Sequence, residues 1–181
     1  LFAILQELLT RGRSAVLVTV TAGRGSVPRG AGARMLVTEE GRAYGTIGGG
    51  AVEHEAILRA QALLPGGGNA SEVFRLYPNQ VKDLGMVCGG EVEVWFRRFD
   101  EKDLPLVEKA LALFREKTAF WLVCGISVEG PAALCRPEGV LWGAAVPPAV
   151  LEGLGPKPSN IEAGGARWFS ERMLSPARVY L

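Results

Sequence analysis

A chain of 181 residues, 48% hydrophobic and 22% charged, has the composition of a globular protein with one large domain or two small ones. Its 20 basic and 19 acidic residues nearly cancel, so no global charge draws it to nucleic acid or to an anionic membrane. The three cysteines form neither a disulfide framework nor a zinc-ligand spacing, and no stretch has the pattern of a signal peptide or a membrane span. These features favour a cytoplasmic protein.

Apolar spacing and turn residues predict the elements in chain order. Helices are predicted at residues 2–10, 51–64 and 103–117, where apolar residues recur every three or four positions. Strands are predicted at 14–21, 33–38, 43–47, 72–77, 91–97 and 119–126. Beyond residue 128 strands and turns alternate without a clear order, apart from a short helix within 147–155. The predicted fold class is therefore α/β or α+β, a mixed β-sheet with flanking helices, and no internal repeat is found.

The first segment with chemical content is GRGSVPRGAGARM. Glycine allows backbone to approach a ligand closely, and successive amide N–H groups can form a nest for an anion. Arginine presents a planar fork that binds phosphate through two hydrogen bonds. Arg29, Gly30, Gly32 and Arg34 are therefore candidate phosphate-binding residues. An ordinary solvated surface loop is the alternative.

The second segment, GTIGGGAVEHE, puts three glycines directly before a predicted helix. The free amides and the positive end of the helix dipole make Gly48, Gly49 and Gly50 a candidate anion site, although any tight strand-to-helix turn can use such glycines. Glu53 is predicted to lie off the apolar face and to complement the dipole. His54, the single histidine, is expected to be exposed and structural.

The third segment, DLGMVCGGEVEV, carries Cys88 directly before Gly89 and Gly90. A thiol beside glycines is sterically open, and loop amides can lower its pKa towards the reactive thiolate. A buried structural cysteine is the alternative for Cys88. Cys124 and Cys135 lie in apolar strand patterns, where cysteine packs as a small hydrophobic residue.

Together these segments resemble the XdhC/CoxI family. Its N-terminal domain carries a glycine, proline and arginine loop, a G-G-C-V-E helix start and an L-G-x-x-C-G-G turn, matched here by GSVPRGAGARM, IGGGAVEHE and DLGMVCGGEVEV in the same order. Ala51 stands where the family has its G-G-C-V-E cysteine. Family members usually continue into a Rossmann-type domain whose glycine turn is missing from this sequence. Residues 1–174 are thus expected to form the family-like domain, and residues 175–181 to begin a truncated linker or strand to a further domain.

The resemblance implies a bacterial accessory protein, a chaperone more than a catalyst. It would bind molybdenum cofactor (molybdopterin) transiently, help a cysteine desulfurase to sulfurate it, and deliver it to a xanthine dehydrogenase-type hydroxylase. The glycine and arginine loops suit the cofactor's phosphate, and the Cys88 thiolate suits a soft metal or a persulfide. A homo-oligomer is left open, and neither nucleic acid nor membrane is an expected partner.

Two other functions compete with cofactor handling. One is a nicotinamide-dependent oxidoreductase whose dinucleotide domain is missing, and the other is a phosphate- or nucleotide-binding regulatory module. Whichever holds, the three glycine-rich segments are predicted to converge on one face of the sheet, because ligands bind where loops gather at strand and helix ends.

Overall fold

The computed structural model describes residues 1–76, 89–127 and 129–174. Its helices are α1 (Phe2–Thr10), α2 (Gly50–Leu63), α3 (Leu104–Arg115) and α4 (Pro148–Glu152), with a 3-10 turn at Glu101–Asp103. Its strands are β1 (Ala15–Gly25), β2 (Arg34–Thr38), β3 (Gly41–Thr46), β4 (Ala70–Leu76), β5 (Gly90–Phe99), β6 (Phe120–Gly125), β7 (Ala132–Arg136), β8 (Gly139–Gly143), β9 (Ser159–Ala163) and β10 (Ala166–Met173). The predicted combination of β-sheet with flanking helices is confirmed, as is the short helix within 147–155. The predicted start of a linker at 175–181 lies outside the described residues.

The strands form two five-stranded sheets, ordered β3-β2-β1-β5-β4 and β8-β7-β6-β10-β9. All the pairings between the described strands are antiparallel. Two-residue turns join β2 to β3, β7 to β8 and β9 to β10, and connections this short can only reverse the chain. The fold is thus the α+β form of the predicted class.

The element order repeats along the chain. Residues 2–99, the first unit, run α1-β1-β2-β3-α2-β4-β5, and residues 104–173, the second unit, run α3-β6-β7-β8-α4-β9-β10. Replacing each element of the first sheet by its counterpart gives the strand order of the second. This corrects the expectation that the chain has no internal repeat.

Local irregularities repeat together with the topology. A bulge follows Leu36 in the first unit and Leu134 in the second, at the same step of the same strand pair. Gly45 and Gly143 then occupy equivalent positions with φ of +71° and +103°. A Cβ on either glycine would lie 2.3 or 2.5 Å from a carbonyl oxygen of the neighbouring strand, so both positions require glycine. Bulges and obligatory glycines at matched positions indicate two copies of one structural unit.

The sequence hides this repeat because paired positions hold different side chains. Arg97 and Glu171 are equivalent through their strand partners, Leu17 and Leu122. Backbone register tolerates such exchanges as long as the apolar face of each strand is kept.

Three hydrophobic clusters fill the fold. The central cluster lies between the sheets and combines α1 and α3 with residues of both units, including Leu17, Phe99, Phe120 and Leu134. Helix α2 covers the outer face of the first sheet, and α4 covers that of the second. Each sheet is therefore buried on both faces, and the units share one interior.

Candidate functional site

The loop between β1 and β2, residues 26–33, brings the glycine-rich segments together. On one side it meets the third segment, because Gly25 pairs with Gly90 and the Ser26 amide donates to the Gly89 carbonyl oxygen at 3.4 Å. A Cβ on Gly25 would lie 2.6 Å from that same oxygen. Backbone contact this close requires glycine at position 25, where φ is +72°.

On its other side the loop touches the glycine turn before α2. A Cβ on Gly48 would lie 2.7 Å from the Pro28 Cβ and 3.8 Å from the Arg29 Cγ. Residues from all three segments thus meet around positions 25–29, as the sequence predicted for the glycines. Cys88 lies outside the described residues, so its role as thiol or metal ligand stays a prediction.

Glu53 holds the glycine turn in shape. Its carboxylate accepts hydrogen bonds from the backbone amides of Ile47 and Gly49, both at 3.0 Å, and from the Thr46 hydroxyl. Arg42 adds an ion pair at 2.6 Å. Glu53 is buried, contrary to the expectation that it lies off the packed face of α2. Burial is tolerated because the carboxylate oxygens are fully paired.

The pKa of Glu53 reports the same arrangement. Burial by itself raises the pKa, but the hydrogen bonds from Thr46, Gly49 and Ile47, together with the charge of Arg42, outweigh burial and lower it below the ordinary value. The carboxylate is therefore ionised at neutral pH and supplies a fixed negative charge inside the turn.

The donors left for a ligand lie at the first residues of α2. The amides of Gly48 and Gly49 are used within the turn, by Thr46 and Glu53. Helix α2 has Gly49 as N-cap and no side-chain cap, so the amides of Gly50 and Ala51 have no partner inside the helix. Free amides at the positive end of a helix dipole favour an anion.

Arg29 is a charged group beside these amides, and Arg24 lies near the end of β1, which leads into the same loop. Both are exposed, and neither takes part in an ion pair or side-chain hydrogen bond with the described residues. Because the Arg29 side chain begins at Gly48, its guanidinium can reach a group bound at the start of α2.

Arg34 behaves differently from Arg29. Its Nη2 lies 2.8 Å from Glu171 Oε1 of the second unit, and its Nη1 donates to the Met173 sulfur at 3.5 Å. Gly32 is packed from the same side, since a Cβ there would lie 2.6 Å from the Pro158 ring. Gly30 turns the loop, its carbonyl oxygen accepting the Ala33 amide at 3.2 Å. The contacts of Arg34 and Gly32 involve residues far along the chain, and no sequence motif marks them.

The other sequence predictions are quickly placed. His54 is exposed, and Cys124 and Cys135 are buried packing residues, as predicted. Burial raises the pKa of both thiols, that of Cys135 to about 11, so neither is a thiolate at neutral pH. Within the described residues no three His, Cys, Asp or Glu side chains cluster to hold a metal. None of the described helices is long and apolar enough to cross a membrane.

Fold and site together define an α+β protein with two packed antiparallel sheets and a glycine-lined, arginine-flanked helix start suited to an anion. Sequence comparison adds the family. Residues 8–76 match the profile of the XdhC and CoxI family. Over these residues the chain is similar to that family, and the resemblance read from the motifs is confirmed.

Individual relatives agree with this resemblance. The chain is 37% identical over 86 residues to the molybdenum cofactor insertion chaperone PaoD of Escherichia coli, an alignment that covers 48% of this chain and 27% of that protein. It is 32% identical over 111 residues to a probable xanthine dehydrogenase subunit of Bacillus subtilis, covering 59% of this chain and 33% of the relative. The chain thus spans about a third or less of these two relatives.

The fold has a solved counterpart. A crystal structure described as a xanthine dehydrogenase from Bacillus halodurans superposes with a TM-score of 0.72 at 18% identity, over 96% of this chain and 52% of the other. The likeness confirms the fold over nearly the whole chain.

Proposed function

We propose that the chain binds molybdenum cofactor and assists its insertion into a xanthine dehydrogenase-type hydroxylase. The observation that carries the proposal is the position of Arg29, which lies over Gly48, beside the uncapped start of α2, without a partner among the described residues. That arrangement falls within the family segment, and a relative of this segment is named as a molybdenum cofactor insertion chaperone.

The site residues fit one end of the cofactor. Molybdenum cofactor ends in a phosphate, and the Gly50 and Ala51 amides together with the Arg29 guanidinium are the donors that a phosphate prefers. Arg24, exposed near the end of β1, adds positive charge where that strand leads into the loop 26–33. The bound cofactor is expected to dissociate readily, because these donors lie at the surface and an exposed anion site binds weakly.

The metal end of the cofactor is assigned to Cys88. Gly89, its neighbour, accepts a hydrogen bond from the Ser26 amide and so lies against the loop 26–33. A Cys88 thiolate can ligate a soft metal or carry a persulfide sulfur received from a cysteine desulfurase. Sulfuration and the identity of the hydroxylase are parts of this proposal.

The proposal is tested by purifying the chain from cells that make molybdenum cofactor and measuring molybdenum and pterin per chain. We expect both in the wild type and a loss of both in Arg29→Ala. Arg115→Ala is the matched control, because Arg115 is an exposed arginine at the end of α3. Equal cofactor content in the two variants, or none in the wild type, would refute the proposed site.

Replacing single cysteines separates the thiol role from packing. Cys88→Ser should lose molybdenum and keep the wild-type melting temperature, because serine is a poor ligand for a soft metal. Cys124→Ser should keep the metal and lower stability by about 1–3 kcal/mol, because it buries a hydroxyl in the central cluster. Molybdenum content and thermal melting are measured for both. Wild-type cofactor content in Cys88→Ser would show that the thiol is not needed, so that the glycine and arginine loops alone bind the cofactor.

A further inference from the structure

The second unit contacts the first unit at and beside the loop 26–33, the anion loop, and these contacts form a cross-unit seam. Glu171 pairs with Arg34 at 2.8 Å, Asn160 donates to the Thr21 carbonyl oxygen at 2.9 Å, Arg167 pairs with Glu93, and Pro158 packs on Gly32. On the first unit these contacts lie in β1, β2, β5 or the loop 26–33, and Gly25 and Arg29 belong to β1 and to that loop. Through Gly32 and Arg34 the seam holds the end of the loop against the second unit.

The Arg34–Glu171 pair is the most buried contact of the seam that involves opposite charges. The two side chains are only 24% and 10% exposed, so solvent screens their attraction weakly. Arg34 is the first residue of β2, where the loop ends. The adjoining backbone is closed by the Gly32 amide, which donates to the Val20 carbonyl oxygen at 2.9 Å. Pairing at Arg34 thus sets where the loop re-enters the sheet.

A similar contact runs from the last strand of the first unit to the second unit. Arg97, the counterpart of Glu171, donates from Nη1 to the Gly130 carbonyl oxygen in the β6–β7 loop at 3.1 Å. Gly130 is the counterpart of Gly32, because each stands two residues before the first residue of its strand. The last strand of each unit thus holds the first loop of the other unit. The two loops differ in charge, because the first contains Arg29 and the second contains Glu129.

We propose that Glu171 is a positioning residue for the anion site. It holds Arg34, and through Arg34 the loop 26–33, in the shape that places Arg29 over the start of α2. Arg34 then links the two units through its ion pair with Glu171 and is not a phosphate ligand. This inference rests on the proposed function only for the identity of the anion.

The test is a double-mutant cycle with Glu171→Gln, Arg34→Gln and the double variant, in the 181-residue chain. Inorganic phosphate is titrated and followed by amide NMR, and hydrogen exchange is measured at the amides of Gly32 and Ala33. Each single variant should weaken phosphate binding about tenfold, as happens when a residue that orients a metal ligand is removed. The double variant should lose no more phosphate affinity than either single variant, because each single substitution already breaks the same ion pair. Exchange at Gly32 and Ala33 should become faster in all three.

Asp103→Asn is the control, because it breaks another largely buried ion pair, Arg97–Asp103 at 2.7 Å, which includes no residue of β2 or of the loop 26–33. It should lower the melting temperature and leave phosphate binding unchanged. Tighter phosphate binding in Glu171→Gln would overturn the proposal, since a freed Arg34 would then be a ligand. Unchanged exchange in that variant would overturn it as well. If the wild type binds no phosphate, the proposed function fails, and the exchange rates alone decide whether Glu171 positions the loop.

Discussion

Single side chains set the shape of the glycine turn, and Glu53 sets most of it. The turn uses positive φ at Gly48, Gly49 and Gly50, a backbone that no intrahelical bond can hold. One carboxylate supplies acceptors for two of its amides and for the Thr46 hydroxyl. A carboxylate here also neutralises part of the helix dipole, so an incoming anion depends on the added charge of Arg29.

Glu53→Gln should lower the free energy of unfolding by about 1.5–3 kcal/mol, because hydrogen bonds to a charged, buried acceptor become bonds to a neutral one. Glu55→Gln on the same helix is the control, since Glu55 is exposed. Urea unfolding of both variants measures the difference. Equal stabilities would show that the turn does not depend on the Glu53 charge.

The lowered pKa of Glu53 predicts a dependence of stability on pH. A carboxyl group whose pKa is lower in the folded state stabilises the fold above its unfolded pKa, and that contribution is lost as pH falls through the folded pKa. Unfolding free energy should therefore fall below about pH 4.3, the ordinary pKa of Glu. The fall should be shallower in Glu53→Gln, as measured by urea unfolding at a series of pH values. Parallel curves for the two proteins would contradict the assignment.

Gly48→Ala and Gly66→Ala separate backbone strain from collision. The two glycines have nearly the same φ, +134° and +132°, so alanine should cost about 1–3 kcal/mol at each. A Cβ at position 66 meets nothing within 4 Å, whereas at position 48 it strikes Pro28. Only Gly48→Ala should therefore displace the loop and weaken phosphate binding. Melting temperature and phosphate titration are the measurements, and equal affinities would show that the loop does not rest on Gly48.

Equivalent elements of the two units differ most at their second helices. Helix α2 has 14 residues and follows a glycine turn. Its counterpart α4 has five and follows Pro147, with Pro148 as its first residue. Proline has no N–H to offer, and a single helical turn has a small dipole. The anion site of the first unit is therefore not repeated at α4, although the strands that flank it are.

The residues that follow α1 and α3, the first helix of each unit, allow the structural repeat to be tested. Gly12 and Lys117 each stand two residues after their helix, with φ of +70° and +57°. Lysine in the left-handed region costs about 1 kcal/mol, which glycine avoids. Lys117→Gly should raise the unfolding free energy by up to about 1 kcal/mol.

Lys109→Gly is the control for that prediction, because Lys109 lies inside α3, where glycine should lower stability by about 1 kcal/mol. Chemical denaturation of both variants shows whether each substitution raises or lowers the free energy of unfolding. A loss of stability in Lys117→Gly would mean that the position does not play the helix-ending role of Gly12.

At the scale of the whole molecule the two units form one interior. A small cavity between the sheets, with room for about one water molecule, is lined by equivalent pairs of residues from the two units. The pairs are Leu17 with Leu122, Thr19 with Cys124, Trp95 with Phe169 and Arg97 with Glu171. Equivalent positions that face each other indicate an approximate two-fold relation between the units.

A shared interior predicts that the units unfold together. Leu17→Ala and Leu122→Ala, one in each unit, should each lower stability by about 2–5 kcal/mol. Both should accelerate hydrogen exchange in β2 and in β7, because opening either unit exposes the central cluster. Circular dichroism and tryptophan fluorescence should give one coincident transition. Acceleration confined to the unit that carries the mutation would show that the units are independent domains.

The sequence by itself determined the local structure. A β-branched run predicted β1, a hairpin pattern predicted β2, and alternation predicted β5. Helical spacing predicted α1 to α3, and glycine runs marked the three segments that meet at the loop 26–33. These predictions succeed because apolar periodicity and glycine at positive φ act between near neighbours in the chain.

Only the tertiary structure decided which charges stay free. Arg29 and Arg34 look alike in sequence, but Glu171, far along the chain, pairs with Arg34 and leaves Arg29 without a partner among the described residues. Burial of Glu53 and the repeat of the two units were hidden for the same reason. Ion pairs, burial and sheet order depend on contacts between distant residues, and local pattern does not contain those contacts.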